Sequence, residues 1–134
     1  MKRFSVSLEK DLVEKFDKEI KNRNYPTRSK AIGDLIREFL VQREWSEGKD
    51  IAGTITVVYN HHKRELVNKL IDIQHDFSSI VVSSSHIHFD DDNCLEVVIV
   101  RGRAKEIEKF SNILKATKGV KYCSLNRATI GKDI

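Results

Sequence analysis

The stretch Arg3-Phe4-Ser5-Val6-Ser7-Leu8 alternates strictly, with Phe4, Val6 and Leu8 on one face and Arg3, Ser5 and Ser7 on the other. Such spacing predicts a half-buried strand. The helical pattern directly after it constrains the fold most. Glu9–Arg23 carries Leu12, Val13, Phe16 and Ile20 at helical spacing. Asn24-Tyr25-Pro26 interrupts it, and Thr27 is a candidate N-cap for a second helix. That helix has Ala31, Ile32, Leu35, Ile36, Phe39 and Leu40 along one stripe and runs to about Trp45. The strand therefore has no local partner, and a lone strand needs one. The simplest partner is the same strand of a second copy, antiparallel across a two-fold axis.

Such a two-stranded ribbon fits the major groove of B-DNA. Its outer face would present Arg3, Ser5 and Ser7 from each chain to base edges. Arg28 and Ser29, at the start of the second helix beside Thr27, are candidates for phosphate contact. Charge permits this. Residues 1–45 hold 11 Lys and Arg against 8 Asp and Glu, while residues 46–134 hold 13 against 12. Strand–helix–helix order with a basic surplus resembles the ribbon–helix–helix family of DNA-binding proteins.

Ser46–Asp50 is polar and reads as a linker, so residues 1–46 are expected as one domain, 47–51 as the connection and 52–134 as a second domain. Within the latter, Gly53–Tyr59 reads as a strand and His62–Asp76 as a helix. Ile80–Phe89 and Cys94–Val100 read as strands, Ala104–Lys118 as a helix and Val120–Arg127 as the last strand. The order β-α-β-β-α-β is the ferredoxin-like split βαβ. The expected class is α+β.

Chemistry concentrates at Ser85–Cys94. His86 and His88 are two apart, so in a strand their imidazoles share a face. Asp90-Asp91-Asp92-Asn93 is turn-forming, and Cys94 opens the next strand, so a hairpin returns the thiol beside the rings. Two imidazoles and a thiolate are good ligands for a late first-row divalent metal. His75, upstream on a helix, is the obvious fourth. Element order leaves open whether His75 joins them from the same chain or a neighbour. His61 and His62 read as surface histidines and Cys123 as a small buried residue.

The two halves together resemble the nickel-responsive transcriptional regulators, which join a ribbon–helix–helix domain to a ferredoxin-like, ACT-type metal-binding domain. Tyr25, Arg28-Ser29, Ala31-Ile32 and Asp34 carry the resemblance in the first half. Val58-Tyr59, His61, Lys63-Arg64, Gln74-His75, His86-Ile87-His88 and Cys94-Leu95-Glu96 carry it in the second. The resemblance implies one square-planar Ni(II) per chain, held by His86, His88 and Cys94 of one chain and His75 of another. It implies a homotetramer, a dimer of dimers, on double-stranded DNA with two half-sites, and repression of nickel-uptake genes when Ni(II) is bound. Gln74 and Glu96 become candidates to orient the ligands, and Lys63 and Arg64 become phosphate contacts.

One departure concerns Lys30, which stands where the family often has Glu, one turn before Asp34. The acidic pair is associated with a second cation. Here Lys30 removes a carboxylate and is expected to pair with Asp34 at i,i+4. A different class of reading is a small-molecule-responsive regulator, with the ACT-type domain binding an amino acid. A metalloenzyme is not expected, because no general base stands out beside the three ligands. With no apolar run near the roughly 20 residues that span a bilayer, and two cysteines rather than a disulfide framework, the chain reads as cytoplasmic.

Overall fold

The structure, a computed structural model, describes residues 1–48 and 50–129; Lys49 of the expected linker and residues 130–134 of the expected second domain lie outside them. The chain divides into two compact units, Met1–Phe39 and Leu40–Ile134.

The first unit contains α1 (Lys10–Asn22) and the opening turns of α2 (Arg28–Glu47). α1 stops where Asn24 takes the left-handed conformation, φ 62°, which Asn tolerates and most residues do not. Tyr25 N donates back to the Ile20 carbonyl at 2.9 Å. Thr27 caps α2 as the sequence predicts: its hydroxyl oxygen accepts from Lys30 N at 3.1 Å. Arg28 reaches across to α1 and donates twice to Asp17, at 2.7 and 2.6 Å.

Residues 1–9 differ from expectation, since they form no strand. A strand is defined by its ladder, and a single chain offers this segment none. Phe4, Val6, Leu8, Leu12, Leu35, Ile36 and Phe39 are all exposed. Ala31 is the sole buried side chain among the described residues of this unit.

The second unit is built on a sheet ordered β2-β3-β1-β4, from β1 (Ile51–Asn60), β2 (Val81–His88), β3 (Asn93–Gly102) and β4 (Val120–Ala128). All neighbours are antiparallel. With α3 (Arg64–Asp76) and α4 (Ala104–Ala116) in the crossovers, this is the split βαβ order the sequence predicts. α3 begins at Arg64 rather than His62, because Asn60 turns the chain first. Its side-chain oxygen accepts from His62 N at 2.9 Å and its carbonyl from Lys63 N at 3.2 Å.

Alternation decides which face is covered. Ile51, Ile55, Val57 and Tyr59 of β1 and Cys94, Val98 and Val100 of β3 are buried. They join Leu66, Leu70 and Ile73 of α3 and Ile107, Phe110 and Leu114 of α4 in one core. The opposite face carries Val58, Leu95 and Val97, half-buried, with Ile87, Ile99 and Tyr122 exposed. These are cross-strand neighbours: Val58 stands opposite both Leu95 and Tyr122, and Leu95 opposite Ile87.

Trp45, from the last turn of α2, is fully buried in this core and donates its indole N–H to the Ala52 carbonyl at 2.9 Å. Trp45→Ala is expected to lower unfolding free energy by about 3–5 kcal/mol, the usual cost of emptying so large a site. Urea denaturation followed by circular dichroism measures it. A loss below about 1 kcal/mol would mean that Trp45 is not part of the core it fills here.

Candidate metal centre

The hairpin of β2 and β3 places the predicted ligands. His88 stands opposite Cys94 and His86 opposite Glu96. On its other side Cys94 faces Tyr59 of β1. Cross-strand partners share a face, so His86, His88, Cys94, Glu96 and Tyr59 all lie on the helix-covered side. The intervening turn is braced by Asp90, whose Oδ1 accepts from Asp92 N at 2.9 Å and Asn93 N at 2.8 Å. Bonds from the Asn93 side chain and these two amides hold the Asp90 carboxyl below the usual carboxylate range. Cys94 is buried, whereas His86 and His88 are exposed on the edge strand.

Glu96 is a buried carboxylate with both oxygens occupied. Tyr59 Oη donates to Oε1 at 3.0 Å and Gln74 Nε2 donates to Oε2 at 3.1 Å. Burial first, then the Glu96 charge and bond and the neighbouring Cys94, push the Tyr59 hydroxyl well above its ordinary range. Tyr59 therefore stays a donor. Gln74 lies near the end of α3, so this bond ties that end of the helix to the strand carrying Cys94. His75 is the next residue and is exposed.

Among the described residues, no three of His, Cys, Asp and Glu are grouped closely enough to hold an ion. The chain thus brings His86, His88 and Cys94 to one sheet face and does not gather the four expected ligands around one point.

The histidine pair after β1 is more engaged than its spacing suggests. His61 is half-buried, its ring stacked on His88 with centroids 4.6 Å apart and planes at 17°. Ring nitrogens of His61 and His62 each lie 3.0 Å from the Asp91 carbonyl. The signal for this is in the sheet order: β1 runs beside β3, so Asn60 faces Asn93 and the next residues meet the turn. Cys123 is buried as expected, with its thiol directed at the Ser111 carbonyl at 3.8 Å. Burial pushes that thiol up.

The predicted DNA-facing residues Arg3, Ser5 and Ser7 are exposed, as are Ser29, Lys63 and Arg64. Arg28 has the competing partner Asp17, whose carboxyl the guanidinium holds below the usual range. Lys30 pairs with Asp34 at 2.6 Å, and Arg37 joins at 3.2 Å. These cations, the Lys30 bond first, hold the Asp34 carboxyl low.

Residues 52–128 match the family described as the NikR C terminal nickel binding domain. Residues 2–43 match the ribbon-helix-helix protein, copG family. The chain is 53% identical over 130 residues to a protein assigned as a nickel-responsive regulator in Syntrophus aciditrophicus, covering 97% of this chain and 95% of that one. The chain belongs to the nickel-responsive regulator family. A second member, from Pyrococcus furiosus, is 50% identical over 133 residues, 98% of this chain and 96% of its own. In fold alone, residues amounting to 60% of the chain resemble all of an uncharacterized Thermotoga maritima protein, TM1266, at TM-score 0.55 and 12% identity. Both matched domains are regulatory and not enzymatic. No helix among the described residues is long and apolar enough to cross a membrane.

Proposed function

We propose that this chain is a nickel-dependent DNA-binding repressor of nickel-uptake genes, acting as a tetramer with one Ni(II) per chain shared between chains. The observation that carries it is the buried Cys94 facing His88 while Glu96, one pleat further, is bonded through Gln74 to the helix bearing His75. The donor set fits: one thiol with imidazoles suits Ni(II) among the late first-row ions.

His86, His88 and Cys94 form one side of the site, and a second copy contributes His75. That division agrees with an exposed His75 that is not grouped with the others in one chain. The uncovered sheet face around Val58, Leu95, Ile87 and Tyr122 supports assembly through this domain, because contiguous apolar surface favours a partner. The unburied face of the first unit, from Phe4 to Phe39, supports a separate pairing of ribbons. The functional domains are 1–46 and 52–134 with 47–51 between, the last turns of α2 packing with the second unit through Trp45, and each ribbon dimer takes one half-site.

Bound Ni(II) supplies a link across the chain boundary. Gln74 and Glu96 orient the ligand-bearing end of α3. Lys63 and Arg64 sit at its other end, about 16 Å away at 1.5 Å per residue, so ordering α3 directs them toward phosphates. Arg3, Ser5 and Ser7 read bases, and Arg28 and Ser29 steady the backbone, Arg28 sharing its pair with Asp17. Lys30 supplies at Asp34 the positive charge of a second cation.

The test is DNA binding, by fluorescence anisotropy, to the duplex upstream of the protein's own gene and to a nickel-transporter promoter, with and without Ni(II). Binding is expected to tighten with Ni(II). Arg3→Ala should cost about 1–3 kcal/mol at its cognate base and relax preference there. Equal affinity with and without the metal would overturn the reading.

A further inference from the structure

We infer that the phosphate-contacting surface of the second unit extends past Lys63 and Arg64 to Lys69 and Lys118, which close one basic hollow shaped for a DNA backbone phosphate. The inference rests on the DNA-binding reading above and widens it.

The hollow has a volume of about 570 Å³ and lies between α3 and the turn joining α4 to β4. At roughly 30 Å³ per water, that is room for a phosphate and its hydration. Lys63, Arg64 and Lys69 come from the start and first turns of α3. Lys118 comes from the turn before β4, far away in sequence. Gly119 explains how it arrives. Its φ is +98°, and a Cβ there would lie 2.9 Å from Leu66 Cδ2. That φ is one side-chain-bearing residues rarely adopt, and a Cβ would press on the Leu66 side chain, so glycine suits the turn that sets Lys118 beside α3.

The charge is unbalanced. Among the described residues, four cations line the hollow against one carboxylate, Glu65. Among the described residues none of the four forms an ion pair, so no carboxylate contact offsets their charge. Like charges gathered in a concave site raise the local potential and draw in an anion. Among the described residues no aromatic side chain lines the hollow to stack on a base, and Leu66, its one large apolar side chain, is buried. The matching occupant is a phosphodiester of the DNA backbone, met as a charge and not as a nucleotide.

The test uses nickel-loaded full-length protein and a duplex of arbitrary sequence beside the upstream duplex, because phosphate contacts carry no sequence information. Affinity is measured across a salt series. A Lys69→Ala, Lys118→Ala double variant is expected to keep its nickel content. Its plot of log affinity against log salt should be shallower by about 0.9 for each phosphate contact removed. Both duplexes should weaken by the same factor, and Lys69→Arg with Lys118→Arg should restore the slope. The inference is overturned if the alanine pair keeps the unaltered slope while Lys63→Ala with Arg64→Ala flattens it; the surface then ends at those two residues. It is also overturned if the arginine pair fails to restore the slope. An unaltered protein that shows no nickel-dependent DNA binding would instead defeat the parent reading, and this inference with it.

Discussion

Cys94→Ser is expected to abolish the near-ultraviolet sulfur-to-nickel charge-transfer band and, with it, the nickel dependence of DNA binding. Cys94 is 3% exposed and stands between His88 and Tyr59 in the sheet. Serine nearly matches it in shape, so the hairpin should survive, but it cannot supply a soft thiolate donor. The affinity loss should exceed the roughly 10–100-fold typical of disturbing a ligand's hydrogen-bond partner. Because the thiolate competes with protons, nickel binding by the unaltered protein should also weaken in acid. Absorbance titration with Ni(II) reads both effects. A Cys94→Ser protein that kept the band would remove Cys94 from the ligand set. Mixing this variant with a His75→Ala variant tests sharing between chains. Some mixed sites would then own a complete set of ligands and regain the band, whereas sites confined to one chain would regain nothing.

Glu96→Gln should lower both stability and nickel affinity. Each Glu96 oxygen receives one donor, from Tyr59 and from Gln74, inside a buried site. An amide offers one oxygen and one NH₂, so with the oxygen on Gln74 the Tyr59 oxygen must accept from the NH₂ and its own O–H loses the acceptor it has now. An orphaned buried group costs about 1–3 kcal/mol, which chemical denaturation would show. If the Gln74 bond is what orients the end of α3, nickel affinity should fall about 10–100-fold as well, measurable by calorimetry. A variant that lost stability yet bound nickel as before would make Glu96 a brace of the core alone.

Most local structure could be read directly from spacing. The helical stripe of Leu12, Val13, Phe16 and Ile20 gives α1, the break at Asn24 ends it, and Thr27 opens α2. The runs Gly53–Tyr59 and Cys94–Val100 give two strands, which in the structure extend to Ile51–Asn60 and Asn93–Gly102. Pairing across the sheet is different, because it joins residues by topology. Only the placement of β1 beside β3 brings His61 to the turn before Cys94 and onto the His88 ring. The Arg28–Asp17 pair likewise joins two helices across eleven positions. Phe4, Val6 and Leu8 show the opposite case. Their alternation specifies a strand, and the chain alone offers nothing for that strand to pair with.

The turn from Phe89 to Asn93 has a consequence for how such a chain can diverge. Its ends are fixed by Phe89 N on the Asn93 carbonyl at 2.8 Å and by His88 facing Cys94. Side chains in a strand alternate with period two, so losing or gaining one residue there would slip the pairing by one. Cys94 is buried on the central strand β3 and held in register by β1, so the exposed edge strand β2 would shift and carry His86 and His88 to the opposite side of the sheet. Substitutions within the Asp-rich loop change local bonds and charge; a single-codon insertion or deletion would separate thiol from imidazole without altering either. Loops usually tolerate changes of length better than the elements they join. In this hairpin the order is reversed, because length decides whether thiol and imidazoles share a face.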